Sequence, residues 1–157
     1  MATAINPQIL QVFKELEGLW LSRDFSKMRG YWLKSLPAPL YLAEEKKEFF
    51  TTWEQFDAYF AAVNAGSRGG AVTYRPLHST SMGQGQEMVA FELEWTTYIK
   101  GEDAPIGGSV RGIALFEYDG QAWKLKAYIE APLAPIIYMR DLYKLVAGSR
   151  GFKPEKG

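Results

Sequence analysis

Phe116-Glu117-Tyr118-Asp119-Gly120-Gln121-Ala122-Trp123-Lys124-Leu125-Lys126-Ala127-Tyr128-Ile129 reads as a strand, a tight turn and a second strand. Asp-Gly accepts the positive φ angles of a hairpin turn, so the flanking strands fold back on each other. Centring the turn on Asp119-Gly120 opposes Phe116 to Trp123, Ala114 to Leu125 and Gly112 to Ala127. Opposed residues share a face of the sheet. One face then carries Val110, Gly112, Ala114, Phe116, Trp123, Leu125, Ala127 and Ile129, all apolar and small in the middle. The expectation is a buried face on which Gly112 and Ala114 leave room for a ligand. The other face carries Arg111, Lys124, Lys126, Tyr128 and Glu130, with Ile113 and Leu115 among them. It has too many charges for a small apolar cavity and suits a dimer surface.

Upstream, Met88–Lys100 is a long strand with Val89, Phe91, Leu93 and Trp95 on one face and Glu92, Glu94, Thr96 and Tyr98 on the other. Ala71–Ser81 is β-rich, and Pro76 assigns it to an edge or a bulge. Before the strands come helices. Asn6-Pro7 caps the first, with Leu10, Phe13, Leu16 and Trp20 inward, Glu17 outward and an end near Ser22. Asp24 caps a second over Phe25 to about Leu33, stopped by Leu36-Pro37-Ala38-Pro39. Pro39–Ala43 is a short strand. Thr51 or Thr52 caps a third helix with the stripe Trp53, Phe56, Phe60 and Val63, ending at Asn64-Ala65-Gly66. Pro132 and Pro135 end the last strand; a final amphipathic helix is expected over about 136–147, acting as a lid or clasp. One domain over residues 1–148 and a disordered tail over 149–157 complete the reading, an α+β order.

The order helix–helix–strand–helix–meander, with Phe116-x-x-Asp119-Gly120-x-x-Trp123-x-Leu125-x-Ala127-Tyr128, resembles the NTF2-like superfamily, which includes SnoaL-like and ketosteroid-isomerase-like proteins. The resemblance spans roughly residues 9–131. It implies a cone-shaped, cystatin-like fold: three N-terminal helices on a curved antiparallel sheet, one enclosed pocket, and homodimerisation through the outer sheet face.

Composition narrows the function classes. The 157 residues carry 18 Lys+Arg and 18 Asp+Glu, a formal net charge of zero that argues against nucleic acid or anionic membrane as partner. Hydrophobic residues make up 47% and aromatics 15%, which suits a packed core with an aromatic-lined cavity. With no cysteine and one histidine, disulfides, thiolate nucleophiles and Cys- or His-clustered metal sites are excluded. No apolar run reaches membrane-span length and no signal-peptide pattern opens the chain, so a cytoplasmic location is expected. No nucleotide-binding or nucleophile-elbow motif occurs.

The resemblance implies a general-base carboxylate near the end of the short strand, and Glu44 is the nearest match. An apolar cavity would raise its pKa into a useful range, whereas the following Lys46, Lys47 and Glu48 also fit a solvated charge cluster. His78 is either an acid–base partner or a surface residue, and Tyr41 is a second polar candidate. The ketosteroid-isomerase oxyanion side is missing: Gly112 stands at the expected Asp, and the first helix has no Tyr. Leu16, Trp20, Trp53, Phe56, Tyr59, Phe91, Leu93, Trp95, Gly112, Ala114, Leu125 and Ile129 are the candidate ligand contacts. Together they favour a flat, apolar or aromatic molecule. The reaction expected is isomerisation, cyclisation, dehydration or hydrolysis without a cofactor. The alternative is a non-catalytic binding or dimerisation module.

Overall fold

The computed structural model describes residues 4–133, 140 and 143–146. Helix α1 (Pro7–Ser22) begins where Asn6 accepts the Gln8 amide at 2.9 Å and Pro7 needs no hydrogen bond. Its buried stripe is Ile9, Val12, Phe13, Leu16 and Leu19, so the face is rotated from the expected one and Leu10 is exposed. Glu17 does not point away either. Its carboxylate accepts the Tyr74 amide at 2.8 Å, tying α1 to the sheet.

The second helical segment, Phe25–Tyr31, is a 3-10 helix, shorter than expected. It stops because Trp32 turns extended and bridges to Leu125, where the Leu33 amide reaches the Leu125 carbonyl at 3.0 Å. Asp24 occupies the N-cap position but caps no amide; its carboxylate is taken by Ser26 and Lys27, at 2.7 and 2.6 Å. Strand β1 (Leu40–Leu42) leads to α2 (Trp53–Gly66). Thr52 and Gln55 close a reciprocal capping box at the start of α2.

Four long strands follow: β2 (Ser67–Gly83), β3 (Gln86–Ile99), β4 (Ile106–Tyr118) and β5 (Trp123–Pro132). The sheet order is β1-β5-β4-β3-β2, antiparallel except for β1, which runs parallel to β5. β2 is an edge strand and its register shifts just after Pro76, between Pro76 and His78. The helices pack on the concave face, where Phe13 meets Tyr74, Phe91 and Phe116 with ring centroids 4.9–5.6 Å apart. The fold is mixed α+β with a curved five-stranded sheet. Arg140 and Tyr143–Val146 are helical, but most of the expected final helix and the whole 149–157 tail lie outside the described residues.

Two details of the central hairpin depart from the sequence reading. Its turn spans four residues: the Asp119 amide bonds the Ala122 carbonyl at 3.1 Å, and the Asp119 carboxylate accepts the Gln121 and Ala122 amides at 2.9 Å each. Tyr118 therefore faces Trp123, and Phe116 faces Leu125. Next comes a β-bulge. Leu115 pairs with Ala127, leaving Lys126 as the extra residue on β5. Beyond it the faces of β5 exchange. Tyr128 lies opposite Ala114 and Glu130 opposite Gly112, on the concave side, while Ala127 and Ile129 turn outward.

Gly112 leaves no empty floor. A Cβ there would lie 2.3 Å from the Phe91 ring and 2.7 Å from the Ile129 carbonyl oxygen. The missing side chain is replaced by the Phe91 ring, and Ala114 is fully buried beneath the same core.

Candidate active site

Glu130 stands at the junction of two spaces inside the sheet. The larger, about 420 Å³, opens between β1, α2, β2 and β3, and has Trp20, Tyr41, Tyr59, Leu93 and Trp95 as its large walls. The smaller, about 30 Å³, holds roughly one water and lies deeper, between Leu16, Trp32, Phe56, Phe60, Leu125 and Tyr74. Both spaces share Trp20, Tyr41, Val72, Leu93 and Glu130.

A chain of hydrogen bonds runs across this junction. The Tyr74 and Tyr128 hydroxyls are 2.9 Å apart. Tyr128 donates to Glu130 Oε1 at 2.6 Å, and the Glu44 amide donates to Glu130 Oε2 at 3.2 Å. The Trp95 indole N–H donates in turn to Glu44 Oε1. The parallel pairing of β1 with β5 sets Tyr41 beside Tyr128, stacked at 5.3 Å, and puts Glu44 within reach of Glu130.

No protein-family model and no curated protein matches the sequence. Solved structures do match the fold. One is a provisionally named dehydratase of the NTF2-like family from Streptomyces avermitilis, at TM-score 0.71 and 12% identity, covering 82% of this chain and 97% of that one. The chain has the NTF2-like fold. A provisionally named scytalone dehydratase from Novosphingobium aromaticivorans matches at TM-score 0.72 and 7% identity, over 82% and 83% of the two chains. A provisionally named calcium/calmodulin-dependent protein kinase II association domain from Xanthomonas campestris matches at 0.62 and 14%, over 84% and 94%.

In this NTF2-like cone, burial pushes the Glu130 carboxyl from 4.5 up to about 7, against the pull of its bonds from Tyr128 and the Glu44 amide. Nearby Glu45 and Glu44 push the same way. Glu44 is also raised, by burial first, with the Trp95 indole opposing and Glu45 adding. Burial raises the Tyr41, Tyr74 and Tyr128 hydroxyls, so all three stay protonated at neutral pH. A carboxyl titrating near neutrality beside such donors can both accept and return a proton.

The expected residues divide clearly. Glu44, Tyr41, Trp20, Tyr59, Leu93 and Trp95 line the larger cavity, and Leu16, Phe56 and Leu125 the deeper one. Trp53 packs instead against Trp32, Phe56 and the Arg29 guanidinium. Phe91, Gly112 and Ala114 belong to the packed core, and Ile129 faces outward because of the bulge. His78 is exposed on β2, opposite Ala90 on the outer face, with the Thr80 hydroxyl 3.2 Å from its Nε2. Sequence reasoning missed Glu130, Tyr128 and Tyr74. The only trace of the first two is the unbroken Ala127-Tyr128-Ile129, three non-alternating residues after the alternating Trp123–Lys126.

Proposed function

We propose that the chain is a cofactor-independent acid–base catalyst for an aromatic or polycyclic, mainly apolar small molecule, with Glu130 as the proton carrier. The observation that carries this reading is the partly buried Glu130 carboxyl, raised to about 7, on the wall of an aromatic-lined cavity. Tyr128 fixes one carboxylate oxygen and the Glu44 amide the other, and the residue lines both spaces. Ionised Glu130 would remove a proton from a carbon or hydroxyl of the substrate. The resulting acid would return it to another atom or to a departing hydroxyl, giving isomerisation or loss of water. Glu44, held by Trp95, is the second carboxyl of the site.

The test is turnover of a panel of aromatic and polycyclic ketones and hydroxyketones in D2O, read by mass spectrometry as deuterium uptake or loss of water. The expected result is turnover of at least one compound with a pH profile bending near 7, abolished in Glu130→Gln. Absence of turnover across the panel, or full activity in Glu130→Gln, defeats the reading.

A second copy is the partner we propose for the outer face of the sheet. There Ala90, Ile113 and Ile129 lie in register across three strands, and Ile113 is 45% exposed. Charges flank this strip: Arg75 pairs with Glu92, which registers with Arg111.

A further inference from the structure

Among the described residues, the charged groups of the larger cavity are Glu44, Glu45, Glu130 and Lys46. Three acids against one base is a local bias, because the chain as a whole carries no net charge. Among the described residues no lysine or arginine pairs with any of the three carboxyls; the ion pairs lie at Glu17, Asp24, Asp57, Glu92 and Glu117. Neutral donors hold Glu44 and Glu130: the Trp95 indole, the Tyr128 hydroxyl and an amide. Glu44 and Glu130 therefore line one cavity, joined through the Glu44 amide, and among the described residues neither carboxyl is paired with a lysine or arginine. Its walls are Trp20, Tyr41, Tyr59 and Trp95, whose ring faces attract positive charge. The chain's own cation already behaves this way: the Lys46 ammonium sits 5.3 Å from the centre of the Tyr59 ring at the cavity rim.

From the aromatic walls, the two carboxyls that line one cavity without a paired cation and the lysine drawn to the rim, we infer that this cavity selects a protonated organic amine carried on an apolar ring system. The ammonium seats between Glu44 and Glu130. This inference rests on the small-molecule reading above and narrows its substrate class. A carboxylate ligand would meet three acids; a neutral hydroxyl can donate to one carboxyl but brings no charge to offset it. An ammonium brings both and gains the ring faces as well.

Binding is then linked to protonation. The groups around Glu130 are Tyr128 on β5, Tyr74 on β2, Tyr41 on β1, Tyr59 on α2, and Glu44, Glu45 and Lys46 on the segment after β1. All four tyrosines are held neutral by burial, so the carboxyls set the pH response. Only ionised Glu130 attracts the ammonium, and amine affinity rises as pH passes upward through about 7.

Three probes of one ring system test this by calorimetry or NMR: tryptamine, the neutral tryptophol and the anionic indole-3-propionate. At pH 8 the expected order is tryptamine tighter than tryptophol by roughly tenfold, with indole-3-propionate weakest. Lowering the pH to 5.5 should weaken tryptamine by roughly tenfold or more, since few Glu130 carboxyls remain ionised there. Tryptophol should stay within about twofold. In folded Glu130→Gln or Glu44→Gln the amine preference should shrink. Tryptophol or indole-3-propionate binding as tightly as tryptamine, or a pH-independent tryptamine affinity, overturns amine selection and leaves the pocket reading intact. No binding by any of the three overturns both.

Discussion

Replacing Glu130 by Gln should change the pH dependence of stability in a predictable direction. In the folded chain this carboxyl titrates near 7 instead of 4.5. Between those values the folded state holds a proton that the unfolded state has released, so stability falls as pH rises through the window. The shift of about 2.5 units, at about 1.4 kcal/mol per unit, gives a penalty of about 3 kcal/mol fully present above pH 7 and absent below pH 4.5. Gln keeps the bond from Tyr128 at its amide oxygen, but its NH2 then faces the Glu44 amide, donor against donor, costing about 1 kcal/mol at every pH. The variant should be slightly less stable than the parent at pH 4.5 and about 2 kcal/mol more stable at pH 8. Urea unfolding of both proteins at half-unit pH steps measures this. Glu44 is also raised but is common to both, so their difference isolates Glu130. Parallel stability curves across pH 4.5–8 would refute a Glu130 carboxyl raised in the folded chain.

Gly112→Ala should lower stability by about 1–3 kcal/mol, seen as a fall in melting temperature, because the new methyl meets the Phe91 ring and a backbone oxygen. Phe91→Leu in that background should restore part of the loss. Tyr128→Phe removes the donor to Glu130 Oε1, so carbon-13 NMR of labelled Glu carboxyls should report a titration above that of the parent. Trp32→Ala empties a nearly buried site in a cluster of rings and should cost about 3–5 kcal/mol in denaturant unfolding. Ile113→Asp should leave circular dichroism unchanged and convert a dimer to monomer in sedimentation; a parent already monomeric at micromolar concentration would remove the proposed interface.

The legible parts of the chain were those governed by local chemistry. Asn6-Pro7 and Thr52 start helices because a side-chain oxygen takes a free amide, which depends only on neighbours in sequence. Val89, Phe91, Leu93 and Trp95 share a face because β3 alternates without interruption. The hairpin shows where such reasoning ends. Asp119-Gly120 marks the turn, but its loop length depends on which carbonyl the Asp119 amide chooses. The extra Lys126 depends on pairing between two strands, and periodicity in one strand carries no record of it. Tyr128 and Glu130 were assigned outward for that reason. Gly112 was read as space because a sequence does not reveal that Phe91, from the neighbouring strand, lies across it.

The bulge at Lys126 also has a genetic meaning. Lys126 has the place of one codon that the ladder absorbs without passing a shift downstream. Loss of that codon would straighten β5 and leave Tyr128 opposite Ala114 and Glu130 opposite Gly112, both still facing inward. The interior able to exchange protons would survive both the loss of the codon and its return. Within such a lineage, the bulge is where the strand can change length while its chemistry holds still.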